Sequence, residues 1–196
     1  MKPKFSIVIP VYNHLEDCLK PLLASVYAYT DLGEAEVLII ANGCTDGTED
    51  YILGLNDPNV RLIRFDNAMG YPRAVNVGIQ NARGDYIVLL NSDCVLQNQN
   101  KQDWLNLLVR PLEEDPKVAI TGVTEIYDKN SGYDFIIFFC AMIPKLVFAE
   151  LGLLEESFGM GGGEDIEFAI RAQRAGFLIQ QVPIKTSELW SYHTWF

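Results

Sequence analysis

Short runs dominated by Val, Ile and Leu recur along the chain: Phe5 to Pro10, Glu36 to Ala41, Val60 to Arg64 and Asp85 to Leu90. Their apolar residues fall on both parities instead of alternating with polar ones. A strand of that kind must be covered on both faces, as in a sheet with helices above and below. The intervening segments carry the helical period. Leu15, Leu19, Leu22, Leu23 and Val26 are spaced by three and four. Gly70 to Ala82 has Pro72 where a first helical turn tolerates it. Trp104, Leu105, Leu108 and Leu112 mark another helix, ended near Pro116. Asp46, with Glu49 three residues on, predicts a capping box between the second and third strands. Further on, Val118 to Val123, Phe135 to Met142 and Phe177 to Val182 read as strands, Pro144 to Leu151 and Glu164 to Ala175 as helices, and Lys129 to Gly132 as a surface turn. Strand–helix alternation of this kind predicts βαβ units, a largely parallel sheet and an α/β class. One domain spanning residues 1–196 accommodates it, with no internal repeat, low-complexity tract or linker.

Composition narrows the functions such a domain can have. The net charge is −11, from 26 acidic against 15 basic residues, so no general basic face exists to neutralise nucleic-acid phosphates. The longest apolar run, Phe135 to Ile143, is nine residues. A membrane-spanning helix needs roughly 18–20, so no transmembrane segment is expected. The N-terminus enters a strand directly and has no secretory leader pattern, which reads as cytoplasmic. Cys18, Cys44, Cys94 and Cys140 are scattered without a C-x-x-C pair, as expected of thiols in a reducing compartment.

In open α/β sheets, ligands bind beyond the C-terminal ends of the strands. Three strand ends here carry polar clusters: Pro10-Val11-Tyr12-Asn13, Asn42-Gly43-Cys44-Thr45-Asp46-Gly47-Thr48 and Asn91-Ser92-Asp93. Each alone is ordinary turn chemistry. Together on one sheet edge they point to a shared pocket. A fourth cluster, Gly159-Met160-Gly161-Gly162-Gly163-Glu164-Asp165, sets two carboxylates at the start of a helix. Helix polarity favours acids there but does not account for the glycines. No Lys-Ser/Thr follows, so this is not a Walker loop. Adjacent carboxylates suit a general base or a cation better than a phosphate. His193 sits among aromatics, where packing and metal ligation are both open; His14 reads as structural or exposed. The ending Trp195-Phe196 leaves open docking onto the body, a partner or oligomer contact, or a chain lacking a C-terminal extension.

The stretches "FSIVIPVYN", "VLIIANGCTDGT", "NVGIQNARGDYIVLLNSD" and "GGGEDIEFAIRAQRAG" occur in the order and spacing of family 2 glycosyltransferases, which the chain resembles from about Phe5 to Gly176. That resemblance implies the GT-A fold, a Rossmann-like, mostly parallel central sheet flanked by helices. It implies inverting transfer of a sugar from a UDP-, GDP- or dTDP-linked donor to a glycan or lipid-linked acceptor, in work such as cell-surface polysaccharide biosynthesis. The protein would then reach the membrane only peripherally, through its acceptor. Carried over residue by residue, Pro10, Val11, Tyr12 and Asn13 form the first donor loop. Asn42 falls where an acidic residue often meets the base, and Arg73 and Asn76 lie on a helix lining the donor. Asn91-Ser92-Asp93 matches the DxD-type motif. Asp93 is then the ligand of a divalent metal, Mn2+ or Mg2+, and His193 falls where some relatives place a metal-binding histidine. Glu164-Asp165 resembles the ED motif, with Asp165 as catalytic base.

This sequence departs from the pattern at two points. Ala41-Asn42 replaces a common acidic pair, and Asn91 replaces the first acid of DxD. The Q-x-x-R-W motif of processive synthases is absent, which favours single-sugar transfer. Acceptor choice would reside in Thr124 to Asp134 and the Gly-rich loop. Two other readings stay open from sequence: a non-catalytic nucleotide- or glycan-binding module, and a sugar nucleotidyltransferase. The short loop after the first strand disfavours the latter.

Overall fold

The computed structural model describes residues 2–188; His193, Trp195 and Phe196 lie outside the described residues. The strands are β1 (Phe5–Val11), β2 (Ala35–Asn42), β3 (Val60–Phe65), β4 (Tyr86–Leu90), β5 (Cys94–Leu96), β6 (Val118–Gly122), β7 (Glu125–Asp128), β8 (Tyr133–Ile136), β9 (Cys140–Pro144), β10 (Leu178–Gln181) and β11 (Thr186–Glu188). The helices are α1 (Lys20–Tyr29), α2 (Thr48–Gly54), α3 (Tyr71–Asn81), α4 (Asp103–Glu114), α5 (Lys145–Leu151) and α6 (Glu164–Arg174). None is long and apolar enough to cross a membrane.

Seven strands form the main sheet in the order β10-β6-β9-β4-β1-β2-β3. β1 pairs in parallel with both β2 and β4, and β2 with β3. Every residue of β1 and β2 is buried. Phe5, Ile7 and Ile9 pack on one face with Leu22, Leu23 and Val26 of α1 and with Trp104, Leu105 and Leu108 of α4. Val8, Leu38, Ile40 and Leu89 pack on the other with α3 and α6, through Val75, Ile79 and Phe168. Each such aliphatic side chain contributes about 1.5–3 kcal/mol when fully buried, which is why apolar residues on both parities select this sandwich. α3 lies so close to β1 that a Cβ on Gly78 would stand 2.3 Å from Val8 Cγ1.

One carboxylate is buried in this layer. Glu36 accepts hydrogen bonds from Ser6 Oγ (2.7 Å), Arg61 Nη1 (2.8 Å) and Arg83 N (2.6 Å), tying β1, β2, β3 and the turn before β4. Burial works to raise its pKa, but these donors and the Arg61 charge outweigh it and hold the carboxyl below its ordinary value.

Two expectations are corrected. Phe135 to Met142 is not one strand: β8 ends at Ile136, Ile137 to Phe139 turn, and β9 runs antiparallel between β4 and β6. The turn places Phe139 O over Asn91 N (2.9 Å). The capping box also does not form as read. Asp46 accepts from Thr48 N (3.3 Å) and from Leu15 N (2.8 Å), whereas Glu49 pairs with Arg64 at 3.0 Å. The region Thr124 to Asp134 is largely a two-stranded ribbon, β7–β8, with Ile126 and Tyr127 exposed.

The chain order fixes where a site can form. β1 leads to β2 and β3 on one side, and then the chain crosses to β4 on the other side of β1. At such a switch point the loops after β1 and β4 part and leave a crevice.

Candidate active site

The C-terminal ends of β1, β2 and β4 do share one edge, and the loops there are braced against one another. Asn13, in the left-handed region at φ 57°, accepts from Thr45 N at 2.8 Å. Its own N–H points at Cys44 Sγ (3.4 Å). Asp46 reaches back through Leu15 N to the π-helical turn Leu15–Leu19 that precedes α1. Burial would raise its pKa, but bonds from Thr48 and Leu15 prevail and lower it. Asn42 is buried, with Oδ1 accepting from Met69 N (2.7 Å) and Nδ2 reaching Gly70 O (3.4 Å). It therefore fixes the turn that leads into α3.

Gly70 is the second brace. Its φ is 85°, and a Cβ there would stand 1.9 Å from Gly159 O, so the backbone of the Gly-rich segment rests directly on it. Tyr71 N donates to Met160 O at 3.2 Å. Asn76 clamps the chain just upstream: Oδ1 accepts from Leu154 N (3.0 Å), while Nδ2 donates to Leu154 O (2.9 Å) and Glu156 Oε1 (3.0 Å).

These braces bring together carboxylates that are far apart in sequence. Asn91, Ser92 and Asp93 are all buried just beyond β4, and Glu164 is buried at the start of α6. Among the described residues, Asn91 Oδ1 is buried with no hydrogen-bond partner. Glu164 Oε2 accepts from Gly162 N at 2.6 Å, and Asp165 Oδ1 from Ile166 N at 2.8 Å. Burial is the main influence raising the Asp165 carboxyl to about 6. The Glu164 charge adds to it, and backbone hydrogen bonds from Ile166 and Phe138 oppose it. The Tyr71 hydroxyl donates to Phe138 O (3.3 Å) and lies in the field of Glu164, Asp165 and Asp93. Desolvation and those three charges push its pKa well above the ordinary phenol value. Asp93, Glu164 and Asp165 all act electrostatically on the Tyr71 hydroxyl, and carboxylate and amide oxygens are the hard donors that a divalent cation takes.

Two hollows flank Tyr71. One, of about 360 Å3, is lined by the polar Asp165, Glu164 and Asn91 together with the apolar Phe138, Phe139 and Met160. The other is a cleft of about 20 Å3 between Pro10, Val11, Tyr12, Asn42, Tyr71 and Met160, room for about one water-sized group.

The residues singled out from sequence therefore fall into three groups. Asn91, Glu164 and Asp165 line the larger hollow, with the buried Ser92 and Asp93 in the same turn. Pro10, Val11, Tyr12 and Asn42 line the cleft. Asn13, Arg73 and Asn76 line neither: Asn13 and Asn76 are spent on bracing, and Arg73 is exposed on α3. Sequence reasoning missed Tyr71, which stands between the two hollows, and read Phe138 and Phe139 only as part of a strand. Away from these hollows, His14, Asp17 and Cys18 bring metal-capable atoms within 4.8 Å of one another, and His14 Nδ1 engages Asp17 Oδ2 at 3.1 Å.

Comparison with known proteins identifies the family and the fold. The family model described as glycosyl transferase family 2 matches residues 6–160. Glycosyltransferase GlyG of Streptococcus pneumoniae serotype 4 is 26% identical over 137 residues, 67% of this chain and 42% of that protein. The chain thus spans less than half the length of this curated relative. Among solved structures, mannosyltransferase PcManGT from Pyrobaculum calidifontis, in complex with GDP-Man and Mn2+, superposes with a TM-score of 0.77 at 18% identity, over 93% of this chain and 55% of that one. GalNAc-T7 with UDP, GalNAc and Mn2+ superposes with a TM-score of 0.81, also at 18% identity, over 95% of this chain and 44% of that one. The fold is of the GT-A type, and the chain belongs to glycosyl transferase family 2.

Proposed function

We propose that the protein is an inverting glycosyltransferase that moves a single sugar from a nucleotide-diphospho-sugar to an acceptor hydroxyl. The observation that carries this reading is the placement of Asn91, Glu164 and Asp165, from distant segments, around one hollow beside Tyr71. The nucleotides and Mn2+ held by the two superposed structures support the donor class. Single-sugar transfer rests on the sequence pattern.

In this reading the acceptor oxygen attacks the anomeric carbon from the side of Asp165. Its proton passes to the Asp165 carboxylate as the new C–O bond forms. The bond between the anomeric carbon and the diphosphate breaks, and the electron pair leaves with the diphosphate. A carboxyl whose pKa stands at about 6 is ionised at neutral pH yet basic enough to take that proton. General-base assistance of this kind is worth about 10²–10⁴-fold. Glu164 holds the Gly-rich segment through Gly162 N, which keeps Asp165 in register with the hollow. Asp93 and Asn91 would hold a divalent metal, Mn2+ or Mg2+. Bound there, the metal neutralises charge on the leaving diphosphate. Pro10, Val11, Tyr12 and Asn42 would flank the nucleoside. The 20 Å3 cleft between them is too small for a base, so donor entry requires the Met160 segment to move aside, as active-site loops commonly do.

Two substitutions test the roles separately. Asp165→Asn should abolish transfer, by about 10²-fold or more, while nucleotide binding stays near wild type. Asp93→Ala should weaken nucleotide binding only when metal is present. Full activity in Asp165→Asn would remove it as base, and unchanged metal-dependent binding in Asp93→Ala would remove it as ligand.

A further inference from the structure

We infer that His14, Asp17 and Cys18 form a second metal site, for a borderline cation such as Zn2+, in the π-helical turn before α1. The site is separate from the crevice, since none of the three residues lines either hollow. Their ligand atoms lie within 4.8 Å of one another. Zn2+ binds sulfur at about 2.3 Å and nitrogen or oxygen at about 2.0–2.2 Å. Closing the three groups on one ion therefore asks for side-chain rotation. The His14 and Asp17 side chains are half exposed, so rotation costs them little and an ion can reach them from solvent. Cys18 is buried, which keeps the third donor away from water.

A His–carboxylate contact alone is an ordinary surface ion pair of little worth. The thiol changes its chemistry. Imidazole, carboxylate and thiolate together are the donors of zinc sites, whereas Mg2+, Mn2+ and Ca2+ take oxygen. The backbone holds the three together. His14 stands at φ 60° and ψ 40°, and its carbonyl accepts from Cys18 N (3.0 Å) and Leu19 N (3.1 Å). His14 Nδ1 already meets Asp17 Oδ2 at 3.1 Å. On binding, Zn2+ would displace the proton between them, leaving the imidazole proton on Nε2, and the Cys18 thiol would release its proton to solvent. Three protein donors leave a fourth position for water. Lys20, the nearest basic residue in sequence, pairs with Glu16 and lies over the Tyr51 ring, 5.0 Å from its centroid. His14 directly follows Asn13, which Thr45 and Cys44 engage. A bound ion would thus fasten the end of the loop after β1 to the turn before α1.

Titration with Co2+ tests this on the whole chain, in thiol-free buffer with a large excess of Mg2+ to occupy all-oxygen sites. Cobalt bound to a thiolate shows a sulfur-to-metal charge-transfer band in the near ultraviolet. The wild type should develop that band, and Zn2+ should bleach it. Cys18→Ser should lose it. His14→Ala and Asp17→Ala change half-exposed side chains and should fold, as melting temperatures will check. Each should weaken Co2+ binding by roughly tenfold or more, no less than loss of an outer-shell partner costs. No thiolate band in the wild type, a band that survives Cys18→Ser, or unchanged affinity in both His14→Ala and Asp17→Ala would overturn the inference.

Discussion

Asp165 owes its proton affinity to a position that nothing in its immediate sequence reveals. An aspartate next to a glutamate at a helix start reads as a residue stabilised in its charged form. Burial reverses that, and the carboxyl stands at about 6, against an ordinary 3.8. The sign follows directly. As the proposed base, Asp165 is competent only when ionised, so the transfer rate should climb as pH rises through about 6 and level off above. The same shift acts on stability in the opposite sense. The folded state is favoured by the neutral carboxyl below 3.8, and that advantage is lost as pH rises through 6. Asp165→Asn should therefore be more stable than wild type at pH 7.5, by roughly 1–3 kcal/mol in unfolding free energy, and show no such gain at pH 3.5. A rate profile flat between pH 5 and 7 would contradict this environment for Asp165. Tyr71 illustrates the other side of legibility. Between Gly70 and Pro72 it reads only as the start of a helix. Its role comes from Asp93, Phe138 and Glu164-Asp165, three segments that meet it only in the fold. Asn42 reads as a base contact, yet its oxygen is committed to Met69 N. A side chain's hydrogen-bond partner is a tertiary fact, and local sequence does not carry it.

At the scale of elements, the parallel strands were readable because burial on both faces leaves no polar parity. β1, β2, β3 and β4 all appear within a residue or two of the expected ends. β9 was not readable. Phe135 to Met142 is apolar throughout, and no glycine or proline marks the turn at Ile137 to Phe139, so only pairing with β4 and β6 reveals it. β5 and β11, three residues each, give no periodicity to detect. The junction of α3 with the Gly-rich segment is the element on which the site depends most. Gly70 serves it twice, through a φ of 85° and through contact with Gly159 O. Gly70→Ala should lower stability by about 1–3 kcal/mol and weaken nucleotide binding as well, because Met160 and Tyr71 are anchored there. A denaturant midpoint unchanged from wild type would show that this contact is not held in solution.

For the whole molecule, the switch in strand order around β1 opens one crevice, and the four polar clusters of the sequence are delivered to it or to its supports. Glu36 locks the opposite end of the same strands, so the sheet is tied by polar bonds away from the chemistry and is open near it. The order of motifs was enough to anticipate this plan, since each motif follows a strand and parallel strands share an edge. In the proposed function the crevice takes a nucleoside diphosphate through a metal at Asp93. The most direct measurement is the thermal stabilisation given by UDP, GDP, dTDP and CDP, each with and without Mn2+, on the wild type and on Asp93→Ala. A nucleotide that binds only the folded state raises the melting temperature by mass action, by about 2.7 kcal/mol at a hundredfold excess over Kd. One nucleotide should stabilise the wild type only when Mn2+ is present, and Asp93→Ala should lose the effect. Stabilisation that ignores Mn2+, or that survives intact in Asp93→Ala, or that no nucleotide produces, would contradict it.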